Sequence, residues 1–187
     1  MSIKLIVTST RPERNGGAIA DRVAPLIAEG AGNDVEIVDL REVQLPLLDE
    51  PAMPAMGNYQ RESTRAWARV IADADAVVFL SPEYNGGFTA AAKNALDTLY
   101  AEWDGKVAAV VGYGYGGAGR AVPQLEQIMR NLKMAVLDEP VLMPYGDHMA
   151  DTGMTHDGFV ATHADALREL GRRLQAALAE RGENAAA

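Results

Sequence analysis

The sequence of 187 residues contains no cysteine, which excludes a disulfide framework, a thiolate nucleophile and a thiolate-bound metal. Basic residues are also scarce: 17 Lys and Arg stand against 26 Asp and Glu, and the formal net charge is -9. This balance argues against nucleic-acid binding, which needs a basic face. No apolar run approaches the ~18 residues of a membrane span, and the apolar start over 1–7 is too short for a secretory signal. We therefore expect a cytoplasmic protein with no membrane-embedded segment.

The sequence does contain a regular alternation of apolar runs and amphipathic stretches. The apolar runs predict strands at 3–7, 35–40, 76–80, 107–111 and 135–143, the last one interrupted by Asp138, Glu139 and Pro140. Helical spacing predicts one helix that begins near Gly17 and others at about 59–74, 90–103, 121–132 and 159–180. This order predicts an α/β protein: a doubly wound, five-stranded parallel sheet in one domain over 1–181, followed by a frayed tail at 182–187.

Several side chains that often carry chemistry are assigned here to packing or to the surface. Trp67 and Trp103 lie on the apolar faces of two predicted helices. Met53 and Met56 are expected to fill the core, and the alternatives are that they cover a bound ligand or pack in a dimer contact. The three histidines are spaced too widely for a zinc site, so we expect no metal there; they are His148, His156 and His163.

Ligands of a doubly wound sheet bind at the carboxyl ends of its strands, so the loops after the first, third and fourth strands carry the functional signal. The first loop, 8–17, holds two arginines, hydroxyl side chains and a glycine pair ahead of a helix. Free amides and the dipole at a helix start favour an anion, to which Ser9, Thr10 and Arg11 can also donate. No G-x-x-x-x-G-K-[ST] motif occurs, so a monophosphate fits better than a nucleoside triphosphate. The alternative is a solvated loop whose arginines pair with surface acids.

The loop after the third strand reads Ser81-Pro82-Glu83-Tyr84-Asn85-Gly86-Gly87. Pro82 fixes one backbone angle, while Asn85 and the glycines readily adopt left-handed conformations. Such a turn points successive N–H and C=O groups outward and suits a flat heteroaromatic ring, which Tyr84 can cover. The alternative is a plain tight turn with Tyr84 half-buried.

The loop after the fourth strand matches G-x-G-x-x-G over 112–117, with Asp138 and Glu139 about 20 residues further on. This is the pattern of a dinucleotide-binding fingerprint. That fingerprint belongs to the first strand–helix turn of its unit, however, and here it follows the fourth strand. A backbone cradle for one edge of a ring is the favoured interpretation, and a plain flexible loop is the remaining one.

Two of these segments carry a resemblance to a known family. Pro82-Glu83-Tyr84-Asn85 together with Lys93-Asn94-Ala95-Leu96-Asp97 resembles the signature of the NAD(P)H-dependent FMN reductases, a family that includes azo, quinone and chromate reductases. The opening loop, the stretch 45–51 and the loop 112–117 resemble its other landmarks, so that the resemblance covers roughly residues 3–142. It implies a flavodoxin-like, three-layer α/β/α fold with strand order 2-1-3-4-5. This chain departs from the family pattern at Thr8, where glycine is usual, and at Phe88, where the next turn often has Pro and Leu.

The resemblance also implies which residues bind FMN. The phosphate would lie against Ser9, Thr10, Arg11 and the start of the first helix near Gly17 and Ala18. The isoalloxazine would be lined by Pro82, Glu83, Tyr84 and Asn85. Its pyrimidine edge would meet Tyr113, Gly114, Gly116 and Gly117. Lys93 and Asp97, about one helical turn apart, are expected to pair with each other.

The activity implied is hydride transfer from NADPH or NADH through bound FMN to a small acceptor, with ping-pong kinetics. The acceptor would be free flavin, a quinone, an azo compound or a metal oxyanion. No side chain is assigned as a certain catalytic group, because the flavin carries the hydride while Tyr84 and Asn85 position its ring. The resemblance further implies a homodimer or homotetramer. Two alternatives stay open: a flavodoxin-type electron carrier, against which the arginine of the first loop argues, and an NAD(P)-only Rossmann enzyme.

Overall fold

A computed structural model describes residues 2–145 and 155–186 of the chain. Six parallel strands form one sheet: β1 Ile3–Val7, β2 Val35–Asp39, β3 Ala76–Pro82, β4 Val107–Gly114, β5 Ala135–Val136 and β6 Val141–Pro144. The seven helices described are α1 Gly16–Ala31, α2 Leu40–Val43, α3 Glu62–Ala72, α4 Ala90–Asp97, α5 Ala121–Asn131, α6 His156–Ala161 and α7 Ala164–Ala186. The strand order is β2-β1-β3-β4-β5, with β6 also paired to β4, which confirms the expected doubly wound topology.

Helices cover both faces of the sheet because its central strands are apolar on both sides. Alternate residues of β1, β3 and β4 pack with α1, α6 and α7 in one layer of the core. The intervening residues pack with α3, α4 and α5 in the other layer. Trp67 and Trp103 are fully buried in this second layer with their rings 6.3 Å apart, as the sequence predicts. Met53 and Met56 are not core residues: both lie in an exposed connection, where a 3-10 turn over Pro54–Met56 points them to the surface.

The fifth position of the sheet is shared by two short strands in place of one. β5 pairs with the start of β4 and β6 with its end, since Ala135 lies opposite Val107 and Val141 opposite Val111. Between them Pro140 has no N–H to donate, and Glu139 takes a positive φ of 58°. The predicted interruption at 138–140 therefore separates two strands that still pair with the same neighbour.

Other boundaries differ from the sequence expectation by a few residues. The predicted helix over 90–103 ends at Asp97, and a separate 3-10 turn covers Ala101–Trp103. At the carboxyl end of the chain α7 continues through Ala186, past the predicted helix end at 180. The frayed tail expected at 182–187 stays a prediction. The boundary of a single domain at 1–181 stays a prediction. Within the described residues, no helix is long and apolar enough to cross a bilayer.

Candidate functional site

Three loops meet at the carboxyl rim of the sheet, after β1, β3 and β4. They enclose a cleft of about 760 Å³. Its lining comes from the first loop (Ser9, Arg11, Glu13, Arg14, Asn15), the second (Pro82, Glu83, Tyr84, Asn85), the third (Tyr113, Gly114, Tyr115, Gly116, Gly119, Arg120) and the end of β6 (Tyr145). The convergence follows from parallel pairing, which places the carboxyl ends of neighbouring strands side by side.

The first loop supplies hydrogen-bond donors at one end of the cleft. α1 begins at Gly16, and the Asn15 side chain makes no capping hydrogen bond to it. The first amides of an α-helix have no acceptor within the helix, so this end presents N–H groups and a positive dipole. Ser9 is buried with its Oγ 2.6 Å from the Tyr84 hydroxyl, and Arg11 is exposed at the surface. The arrangement favours an anion at this end.

Arg14 occupies a different position from Arg11, although both belong to the same loop. Its side chain is 9% exposed and forms an ion pair with Asp39 at the end of β2. Its Nη1 atom is buried, with no hydrogen-bond partner within the described part of the chain. Arg14 therefore ties the first loop to the edge strand, while Arg11 is the more accessible cation.

Thr8 causes no backbone strain, although glycine is usual at this position in the resembling family. Its φ is not positive, and its buried Oγ1 donates to the Leu80 carbonyl oxygen at 3.2 Å. Its own carbonyl accepts from Thr89 Oγ1 at 3.0 Å, and Thr89 in turn caps α4 by accepting from the Ala92 N–H. Thr8 thus connects the first loop to the segment that follows the second.

The second loop is a tight hairpin turn. Tyr84 and Gly87 exchange two backbone hydrogen bonds of 2.8 and 3.0 Å. Asn85 and Gly86, at the centre of the turn, have φ of 53° and 82°, the left-handed conformations that this turn requires and that the sequence predicts. The Tyr84 hydroxyl contacts Ser9 at the anion end of the cleft, and the predicted role of Tyr84 in covering the ring stays a prediction.

The third loop exposes backbone at two of its glycines and packs the others inside. A Cβ added to Gly114 or Gly116 would meet no atom within 4 Å, so the space in front of both is open. Gly112 and Gly117 are different: a Cβ on Gly112 would lie 2.4 Å from the Gly117 carbonyl oxygen, and one on Gly117 would lie 3.2 Å from Leu142 Cβ. The open pair can accept the edge of a ligand, while the closed pair shapes the loop.

Tyrosines form one wall of the cleft. The ring of Tyr145 packs against those of Tyr113 and Tyr115 at centroid distances of 6.2 and 6.0 Å. Burial raises the pKa of the Tyr113 and Tyr145 hydroxyls, so both are protonated at neutral pH and donate or accept hydrogen bonds as neutral groups. The Asn15 side-chain amide donates to the Tyr145 hydroxyl at 3.3 Å.

Glu83 faces another side chain of the protein. Its carboxylate accepts hydrogen bonds from the backbone N–H and the guanidinium of Arg120 at the start of α5. These contacts hold the pKa of Glu83 below its ordinary value, with the Arg120 side chain as the largest cause. Lys93 and Asp97 form an ion pair on α4, as the sequence predicts.

Most of the residues predicted for the site line the cleft: Ser9, Arg11, Pro82, Glu83, Tyr84, Asn85, Tyr113, Gly114 and Gly116. Four do not line it: Thr10, Gly17, Ala18 and Gly117. Gly17 and Ala18 nevertheless belong to the first turn of α1. The cleft also contains residues for which the sequence carries no site prediction: Glu13, Asn15, Tyr115, Gly119, Arg120 and Tyr145. An exposed aromatic beside glycines could have indicated Tyr115, but no local signal marks Tyr145.

The acidic pair of the alternative dinucleotide fingerprint lies away from this rim. Asp138 and Glu139 sit beside the middle of β4, in the connection between β5 and β6, where Arg130 and Arg173 pair with them. They are therefore not placed to bind a ribose at the carboxyl end of a strand.

Of the histidines, His148 lies outside the described residues, and the described part of the chain has no cluster of metal-ligating side chains.

The chain is similar to known proteins in both sequence and fold. A family model described as NADPH-dependent FMN reductase matches residues 1–148. An NAD(P)H-dependent FMN reductase of Nectria sp. is 35% identical over 97% of this chain and 89% of its own. An NADPH:quinone oxidoreductase of Arabidopsis thaliana is 34% identical over 58% of this chain and 56% of its own. Among solved structures, the flavoenzyme FerB of Paracoccus denitrificans covers 96% of this chain and 97% of its own with a TM-score of 0.71 and 23% identity, a likeness that shows the fold.

Proposed function

Because the chain belongs to the NADPH-dependent FMN reductase family, and is therefore an oxidoreductase that uses FMN and NAD(P)H, we propose that FMN occupies the cleft between its three loops. The phosphate would lie at the first loop, against Ser9, Thr10, Arg11 and the amides that begin α1. The isoalloxazine would lie between the second and third loops. The observation that carries this placement is the convergence of an anion-binding end and an open glycine edge in one cleft.

The residues present fit the cofactor at both ends. At the phosphate end, helix amides, a buried hydroxyl and an exposed guanidinium provide donors of the kind that bind a phosphate. At the ring end, the open space before Gly114 and Gly116 leaves room for a flat edge that approaches the backbone. The cleft volume of about 760 Å³ lies within the range typical of small-molecule sites.

Bound FMN would supply the redox chemistry, accepting a hydride from NAD(P)H and passing reducing equivalents to an acceptor. The protein's part is binding and orientation. The backbone of the third loop stabilises negative charge at the ring edge. Tyr113 and Tyr145, whose pKa values burial raises, serve as neutral hydrogen-bonding groups and not as bases at neutral pH. Because the cofactor supplies the redox chemistry, no side chain of the cleft needs to transfer a proton in catalysis.

Quinones are the acceptors that we propose. The support is the similarity to a quinone oxidoreductase together with the aromatic wall of Tyr113, Tyr115 and Tyr145, against which a flat ring can pack. The family relationship also favours the reductase over a one-electron carrier, because the curated relatives are named as reductases and oxidoreductases. The cytoplasmic location expected from the sequence stays a prediction.

A spectroscopic experiment tests this function. Protein incubated with FMN and freed of unbound flavin should show flavin absorbance that bleaches without oxygen when NADPH or NADH is added. Adding a quinone should restore the absorbance, because the acceptor replaces the nicotinamide product at the same face. The two bleaching rates give the NADPH or NADH preference. Protein that stays colourless after incubation with excess FMN would contradict the proposal.

We also propose that the chain forms a homodimer or homotetramer through the connection that follows α2. This segment exposes four large apolar side chains: Leu47, Leu48, Met53 and Met56. Asn94 on α4 holds it in place, donating to the Pro46 carbonyl oxygen at 2.8 Å and accepting from the Leu48 N–H at 2.9 Å. Light scattering should give at least twice the monomer mass of 20.0 kDa, and Leu47→Glu combined with Met53→Glu should reduce it to the monomer. A monomeric mass for the unaltered protein would contradict this proposal.

A further inference from the structure

We propose that Arg120 is a positioning residue that, through Glu83, fixes the turn after β3 against the start of α5 at the ring end of the cleft. The inference rests on the proposed function, since it assumes that the flavin ring lies between these two loops. In this inference Glu83 does not contact the cofactor. Its carboxylate holds the turn after β3 in place, and the turn contacts the cofactor. Flavin affinity should therefore depend on an exposed arginine that need not touch the flavin.

The contacts between the two residues are numerous and directed at one carboxylate. The Arg120 backbone N–H donates to Glu83 Oε2 at 3.0 Å, while its Nε and Nη2 donate to Oε1 at 2.9 and 2.5 Å. The Glu83 side chain is 18% exposed, whereas that of Arg120 is 78% exposed. A multidentate, charge-assisted contact of this kind restricts geometry more than a single ion pair does.

A second contact joins the same two elements. We call this contact and the Glu83–Arg120 contact together the clamp. Gln124, one helical turn beyond Arg120, donates from Nε2 to the Gly86 carbonyl oxygen at 2.8 Å and to the Arg120 carbonyl oxygen at 2.7 Å. The guanidinium of Arg120 also packs over Gly86, since a Cβ there would lie 3.8 Å from Arg120 Cζ. The left-handed centre of the turn is thus held from one side by α5.

The position of this clamp relates it to binding more than to folding. Both partners line the cleft, and they join the second and third loops, which come from neighbouring strands. Exposed ion pairs contribute little to the free energy of unfolding. The Arg120 side chain holds the pKa of Glu83 below its ordinary value, so the contact extends to a lower pH than a free carboxylate would allow.

The test measures FMN affinity by titration of flavin fluorescence in four variants: Arg120→Gln, Arg120→Lys, Glu83→Gln and the double variant. Each of the two glutamine variants should weaken FMN binding by about tenfold, a size typical of coupled charged groups in contact. The double variant should bind no more weakly than either single one, because both remove the same clamp. Arg120→Lys should recover part of the affinity through one remaining donor. Arg130→Gln, on the same helix but paired with Glu126 and Asp138 away from the cleft, is the matched control and should bind like the unaltered protein.

The outcomes separate this inference from the proposed function. If the unaltered protein binds no FMN, the proposed function fails; if it binds FMN and Arg120→Gln binds equally well, only the clamp fails. Additive losses in the double variant would show that the two residues act separately and would overturn the inference. Melting temperatures without flavin should be nearly equal for all variants. A drop in melting temperature that accounts for the weaker binding would assign the pair a structural role alone and would also overturn it.

Discussion

Replacing Ser9 by alanine and Arg11 by glutamine together is expected to weaken FMN binding by about a hundredfold, the loss that one neutral and one charged hydrogen bond would produce. Ser9 is buried two residues beyond β1, Arg11 is exposed, and both line the cleft, so the double variant removes one buried and one exposed donor to the phosphate. The amides of α1 remain in the double variant, and for this reason binding should weaken without disappearing.

Competition with inorganic phosphate identifies the end of the cofactor that is affected. In the unaltered protein, phosphate should displace FMN, and in the double variant this competition should weaken along with FMN affinity. At saturating FMN the rate of NAD(P)H oxidation should return to near its original value, because the ring end is intact. Arg172→Gln is the control: this arginine lies on α7 and pairs with Glu169, away from the cleft.

Two results would contradict the phosphate assignment. Equal FMN affinity in the double variant and the control would show that the first loop does not hold the cofactor. A rate that stays low at saturating FMN would place Ser9 or Arg11 near the reacting end. The single variant Ser9→Ala also removes the partner of the Tyr84 hydroxyl. Comparison with Tyr84→Phe therefore separates loss of the phosphate contact from loss of this hydroxyl pair.

The fold can be predicted from sequence largely because each strand can be recognised from a short run of consecutive residues. β1, β3 and β4 are short apolar runs, and apolarity on both faces indicates a sheet covered by helices on each side. β4 extends past its apolar run to Gly114, because pairing with β3 and β6 supports residues that local propensity would leave in a loop. Met53 and Met56 have apolar side chains, but they lie in a proline-rich connection that keeps both at the surface. Apolarity alone therefore does not place a residue in the core.

The site is less predictable than the fold, since part of it depends on long-range contacts. Loop motifs indicate the residues that line the cleft from the ends of β1, β3 and β4. Tyr145 comes from the end of β6, more than a hundred residues after the first loop, and only sheet pairing brings it to the cleft. Glu83 and Arg120 likewise meet across 37 residues of sequence. No local pattern shows that Glu83 faces an arginine.

A large effect on stability is expected at the crossing of α1 and α7, where Gly171→Ala should lower the free energy of unfolding by about 3 kcal/mol. A Cβ at Gly171 would lie 2.3 Å from the Ile27 carbonyl oxygen and 2.7 Å from the Ala31 nitrogen. Both atoms belong to the backbone, so no side-chain rotation can relieve the overlap. The two helices would have to move apart. This would weaken the packing of Leu170 and Leu174 in the core layer that α1, α6 and α7 form on one face of the sheet.

Gly182→Ala in the same helix is the matched control, because a Cβ there would meet no atom within 4 Å. Alanine favours a helix over glycine by up to ~1 kcal/mol, so this variant should be equally stable or slightly more stable than the unaltered protein. Denaturant unfolding of the flavin-free protein measures both changes without a contribution from the cofactor. If Gly171→Ala were as stable as Gly182→Ala, the close approach of α7 to α1 would not exist in solution. The layer that covers this face of the sheet would then pack differently from the arrangement described.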